Sequence, residues 1–200
     1  MSAITAQAVS SLRSKTGASM MECKHVLTEA GGDENKAIEL LRQRGLKSAD
    51  KKADRTTSQG RVHSYIHHNQ RLGVLVQVAC ETDFVARGED FETLCRELCM
   101  QIAAASPTPV AVSVADIPAE LIASERRVLM GGQDLAGKPE PIREKIVAGR
   151  MEKFVQERAL LEQEWILDPS IKVGDRVKAV IAKLGENIKV ERFARFELGA

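Results

Sequence analysis

The side chains able to do covalent or metal chemistry are four cysteines and four histidines, and their spacing decides what they can do. Cys23, Cys80, Cys95 and Cys99 contain no C-x-x-C pair, the usual unit of a redox or zinc site. Cys95 and Cys99 continue the helical stripe Phe91, Leu94, Leu98, Ile102, so core packing is the first reading and metal ligation the alternative. His63 and His67 fall on one face of a strand as a ligand pair, with His68 beside them, but a metal centre needs a third ligand and none is near. Spacing therefore predicts free, packed thiols, surface histidines, and neither metal nor cofactor.

A different kind of site stands where an apolar strand ends. The run "VLVQVAC" feeds into "ETDFVARGEDF", which puts Asp83 and the large ring of Phe84 where the chain must leave the sheet. Connections at strand ends are favoured places for function. Two readings stay open on local pattern: Thr82 or Asp83 caps a short turn while Phe84 enters the core, or the segment faces a partner. Met20 and Met21 are neighbours and point about 100° apart on a helix, so at least one must look outward. An outward thioether is either plain surface or a flexible docking group.

These residues need elements to position them. Thr5 as N-cap, the stripe Ala8, Val9, Leu12 and the stop Gly17 predict a first helix. Ser19 and Glu22 have capping-box spacing ahead of Cys23, Val26 and Leu27, with Gly31 and Gly32 as the stop. Asp33 caps a third, with Ala37, Ile38, Leu40 and Leu41 as its apolar positions and Gly45 as its end. Helices of about ten residues are not stable alone in water, so the three must pack together.

Residues 46–59 form a polar connector, helical at its start, and set a boundary between units 1–55 and 56–200. Beyond it "RVHSYIHHNQRLGVLVQVACE" reads as a hairpin whose second strand is buried on both faces. After residue 106 come an extended piece, a helix from Pro118, a break at "GQDLAGKPEP", and a long helix from Ile142 to Trp165. A helix from Asp175 to Leu184 precedes a closing strand, in which Ile188, Val190 and Arg192 share one face. Phe193 and Phe196, three apart, point to opposite faces unless a bulge intervenes. The fold class is α+β: a three-helix bundle, then a core whose small antiparallel sheet is packed by helices.

Composition narrows the function. In 200 residues, 44% hydrophobic and 28% charged content is that of a globular chain. Twenty-nine basic against 28 acidic residues leave a charge of +1, with no long-range field for nucleic acid. No run approaches the ~20 apolar residues that span a bilayer, and the first residues lack the apolar stretch of a signal peptide, so a cytoplasmic location is expected.

Several separated segments, in order, resemble the bacterial elongation factor Ts family, the guanine-nucleotide exchange factors of elongation factor Tu. "LRSKTGASMMECKHVLTEAGGDENKAIELLRQRGL" is similar to its N-terminal module, which is like a ubiquitin-associated (UBA) domain, and "LVQVACETDFVAR" to its signature. "KIVAGRMEKFVQERALLEQEWILDP" and "GENIKVERFARFELG" resemble its central helical stretch and C-terminal strand. The resemblance implies that Thr82, Asp83, Phe84 and Val85 work near the partner's magnesium site, the ring wedging into its nucleotide domain. It implies secondary partner contacts from Arg13, Met20 and Met21. The partner is elongation factor Tu, GDP-bound or nucleotide-free, with a homodimer as a further assembly, and no covalent chemistry is required. Gly88 stands where the family usually has Asn, and "DRTTSQG" where it is usually Ala-rich. Between Pro107 and Pro141 there is too little chain for the second sheet unit and helical hairpin of longer members, which implies the short, single-unit form. Two other classes compete: an adaptor whose helical module binds ubiquitin-like or helical peptides, and a small thiol or metal enzyme. The adaptor leaves "ETDFVAR" unexplained, and the enzyme has no motif of catalytic spacing.

Overall fold

The computed structural model describes residues 4–199. Three helices open the chain: α1 (Ala6–Thr16), α2 (Met20–Glu29) and α3 (Glu34–Asp50). Each starts where its cap predicts. Thr5 accepts from the Ala8 amide, Ser19 and Glu22 close a reciprocal capping box, and Asp33 accepts from Lys36 N. Gly17 stops α1 in the left-handed region at φ 70°. Val9, Leu12, Cys23, Val26, Leu27 and Ala37 fill a small core between the three.

The expected stop at Gly45 is overturned, because α3 runs on to Asp50. Gly45 serves instead as a point of close approach to α8 (Val173–Leu184): a Cβ there would lie 3.2 Å from the Ala182 Cβ. Past that contact Ala49 enters the main core rather than the small one. Lys178 pairs with Asp50 at 2.7 Å and Arg42 with Asp175 at 3.6 Å, so α3 and α8 are also bridged by charge.

The main sheet has the order β1 (Gln59–Ile66), β2 (Leu72–Cys80), β5 (Ile188–Glu197), with both pairs antiparallel. The central strand was expected to be buried on both faces, and it is not. Val74, Val76, Val78 and Cys80 pack with α5 (Glu89–Ala104) and α8, whereas Leu75, between them, is exposed. On that same outer face Ser64 stands opposite Leu75, and Val62, Ile66 and Phe196 are also exposed. Helices cover one side of this sheet only.

Arg192 does not share the face of Ile188 and Val190. A bulge inserts Glu191 between the pairs Gln77–Arg192 and Val78–Val190, which flips the alternation so that Phe193 packs on the core and Phe196 points out.

The helix expected to reach Trp165 ends sooner: α7 spans Glu140–Arg158. Beyond it the backbone turns to pair with an extended segment, Leu160 N donating to Ala111 O at 2.9 Å and Leu161 N to Val112 O at 3.0 Å. Trp165 belongs to a two-stranded ribbon, β3 (Glu164–Trp165) with β4 (Asp168–Lys172). The buried amide of Gln101 locks that ribbon to α5, donating to Glu164 O and accepting from Ile166 N. The helix expected from Pro118 forms as α6 (Ala119–Met130) and packs on α7 through Leu121, Ile122 and Val155. Among the described residues no helix is long and apolar enough to cross a membrane.

The close approach at Gly45 has a measurable consequence. Gly45→Leu forces α3 away from α8 and is expected to cost about 1–3 kcal/mol of stability by overpacking. Urea denaturation, reading the midpoint at unchanged slope, checks it; an unaltered midpoint contradicts the close-approach role.

Candidate functional site

The segment at the end of β2 is a one-turn helix, α4 (Asp83–Ala86), between the sheet and α5. Four residues cannot sustain a helix by themselves, so its geometry is imposed from outside. Thr82 is the N-cap, its hydroxyl accepting from Val85 N at 3.4 Å. Ala86 is buried and Val85 packs against the main core. These two anchor the turn from below, and the helical screw then sends the residue before them the other way. Phe84 is 88% exposed, the most open of the large apolar side chains. Of the two readings open on sequence, the core-packed ring is thereby excluded, while the cap belongs to Thr82. Beside the ring, Asp83 and Arg87 pair at 3.1 Å on an open surface, an interaction worth well under 1 kcal/mol.

Residues that the sequence reading did not single out hold this turn. Glu186, just after α8, accepts from both donors of Thr82: Oε1 from the hydroxyl at 2.6 Å and Oε2 from the amide at 3.0 Å. Its neighbour Asn187 is buried, donates its amide to Glu81 Oε1 at 2.6 Å, and gives Nδ2 to the carbonyls of Ala53 (3.1 Å) and Arg55 (2.9 Å). The connector between α3 and β1 and the α4 turn are thus fastened to one loop. No local signal could reveal this, since Glu186 lies 104 positions from Thr82.

The second predicted group is carried by α1 and α2, two of the helices that enclose the small core. Met20 and Met21 are both exposed, more than the one outward Met that spacing required, and Arg13 is exposed on α1. Arg13 lies on α1 and Met20 and Met21 open α2, whereas Thr82–Val85 lie at the end of β2, where Val85 packs on the main core.

All four cysteines are free and buried. Burial raises the Cys80 thiol above its ordinary value, and Cys95 and Cys99 are each pushed up to about 12 by burial first of all. The Cys80 thiol donates to Thr82 O at 3.2 Å, one more tie on the turn. His67 shares a 2.8 Å hydrogen bond with the Tyr65 hydroxyl on the hairpin. Among the described residues no group of three or more His, Cys, Asp or Glu is arranged to hold a metal ion.

An exposed aromatic on a capped turn, exposed methionines at the start of a helix and four buried thiols stand on a chain of α+β fold. Residues 7–200 match the family model for Elongation factor TS. The chain is 56% identical over 199 residues to the elongation factor Ts of Microcystis aeruginosa, covering 100% of this chain and 79% of that one. Identity to that of Synechococcus elongatus is 57% over 199 residues, covering 90% of the relative. To that of Caldanaerobacter subterraneus it is 53% over 196 residues, covering 98% of this chain and 97% of the relative. The chain belongs to the elongation factor Ts family and so has the role of a translation elongation factor.

The raised thiols carry a sign. Their folded values lie above the ordinary 9.0, so their stabilising contribution is whole below pH 9 and is lost as the pH climbs toward 12. Stability is expected to fall by up to about 1.4 kcal/mol per pH unit per thiol across that window. Denaturant midpoints at pH 8 and pH 10 test this, with Cys95→Ala/Cys99→Ala expected to flatten the difference. A thiol reagent at pH 8 should label the native chain far more slowly than the unfolded one.

Proposed function

We propose that this chain is the guanine-nucleotide exchange factor of elongation factor Tu. It binds the GDP complex, displaces Mg²⁺, loosens the nucleotide site, and stays bound to the nucleotide-free protein until GTP enters. The observation that carries the reading is Phe84, 88% exposed at the exit of the central strand. Thr82, Asp83, Phe84 and Val85 form the wedge, and Arg13, Met20 and Met21 supply a second contact from the N-terminal helices. The division into a UBA-like module with its connector (1–55) and a core (56–200) fits this two-point docking. The protein acts in the cytoplasm and makes and breaks no covalent bond.

The mechanism follows from linkage. If nucleotide with magnesium weakens binding of the factor, the factor weakens nucleotide binding by the same free energy. Magnesium neutralises phosphate charge in a poorly solvated site, so displacing it leaves that charge uncompensated. A coupling of about 4 kcal/mol corresponds to about 10³ in affinity. Burying one Phe ring contributes roughly 1.5–3 kcal/mol, so Phe84 cannot supply this alone and contacts from both units are needed.

Catalytic amounts of the chain should accelerate release of GDP from elongation factor Tu; no acceleration at any concentration refutes the reading, and recovery of ubiquitin-like or helical partners without the GTPase supports an adaptor instead. Phe84→Ala should slow stimulated release about 10- to 100-fold, the kinetic equivalent of losing the ring's burial, while an exposed site changes stability by no more than about 0.5 kcal/mol. Equal stimulation by variant and parent removes the wedge.

A homodimer is supported by the outer sheet face, where Val62, Ile66, Leu75 and Phe196 lie uncovered. An apolar sheet face needs a second layer, and the same face of another copy provides one through a two-fold axis. Leu75→Glu should shift the mass read by light scattering from two chains to one. A single-chain mass for the parent rejects the dimer.

A further inference from the structure

A side chain far away in sequence holds the residue that caps the turn carrying Phe84. The Thr82 hydroxyl stands at the centre of a relay: its proton goes to Glu186 Oε1 at 2.6 Å while its oxygen accepts from Val85 N at 3.4 Å. Glu186 Oε2 takes the Thr82 amide at 3.0 Å, so one carboxylate fixes both the rotamer and the backbone of the capping residue. A helix of four residues has no stability of its own, so its cap adds to the restraint that Val85 and Ala86 supply from the core. Glu186 is itself firmly placed. Gly185, at φ 80°, closes α8 by donating to Ile181 O at 2.9 Å, and Asn187 is tied to Glu81 and to the connector carbonyls of Ala53 and Arg55.

We propose that Glu186 is the positioning residue of the exchange site: by gripping Thr82 it holds α4 in the orientation that presents Phe84. The proposal rests on the reading of Phe84 as the wedge, but the grip itself can be measured without any partner. A carboxylate that accepts two hydrogen bonds from one residue is a stronger restraint than a neutral acceptor. Its removal releases the turn, while Val85 and Ala86 remain anchored in the core below. Glu186 is only part-buried, so replacing it does not open a cavity in that core.

Two measurements on the full chain decide the matter. In the free protein, Glu186→Ala should speed hydrogen exchange at the Thr82 and Val85 amides at least about tenfold, with protection at Val76 and Val78 retained. Glu186→Gln, which keeps one carbonyl acceptor, should speed it less, and it substitutes for the alanine variant should that fail to fold. Unchanged exchange at Thr82 and Val85 overturns the proposal. In the second measurement a fluorescent GDP is released from elongation factor Tu by the parent, Glu186→Ala, Phe84→Ala and the double variant. Glu186→Ala should lower the saturated release rate about tenfold, and the double variant should be no slower than Phe84→Ala, because the carboxylate acts through the ring. Multiplying effects, or full release by Glu186→Ala beside a slow Phe84→Ala, overturn it. An inert Phe84→Ala instead sinks the wedge itself, and the exchange measurement then decides the grip alone.

Discussion

A turn of four helical residues has no stability of its own, and the shape of this molecule around residues 82–86 follows from that constraint. The turn is held from below by Val85 and Ala86 in the core, and from the side by the Glu186 carboxylate on Thr82. Cys80 adds a third tie to the Thr82 carbonyl oxygen. With so many restraints on its backbone, the turn can keep a large ring in water rather than fold it inward. An exposed Phe sacrifices burial that the core would have offered.

The same loop that restrains the turn also restrains the path to the N-terminal helices. Asn187 uses both Nδ2 hydrogens on the connector, and its backbone amide on Glu81. Together with α3, whose far end reaches the main core through Ala49, this sets the N-terminal helices against the sheet domain through packing as well as through the chain. Gly45 permits that approach by lacking a side chain. The two exposed apolar groups, Phe84 and the Met20–Met21 pair, are therefore borne on a connected framework rather than on two freely jointed bodies.

The sheet is asymmetric. One face receives α5 and α8 and forms the main core; the other presents Val62, Ile66, Leu75 and Phe196. The bulge at Glu191 decides which of the two rings goes inward: without it Phe193 would share the outer face of Lys189, and with it Phe193 packs on the core and Phe196 points out.

The amino-acid sequence alone determined the features that depend on neighbours a few residues apart. Caps at Thr5, Ser19 and Asp33, the left-handed stop at Gly17, the hairpin, the packed cysteines and the family motifs were all legible, because hydrogen bonds from i to i+3 and periodic apolar stripes are written locally. Tertiary structure decided the rest. Whether Gly45 ended a helix or admitted another, whether Leu75 met a second layer, and whether Phe84 turned in or out each depended on atoms from distant chain. Glu186 and Asn187 carry no local mark at all. Their partners are selected by the fold bringing residues over a hundred positions apart within hydrogen-bond reach, and a short-range pattern holds no record of such a meeting.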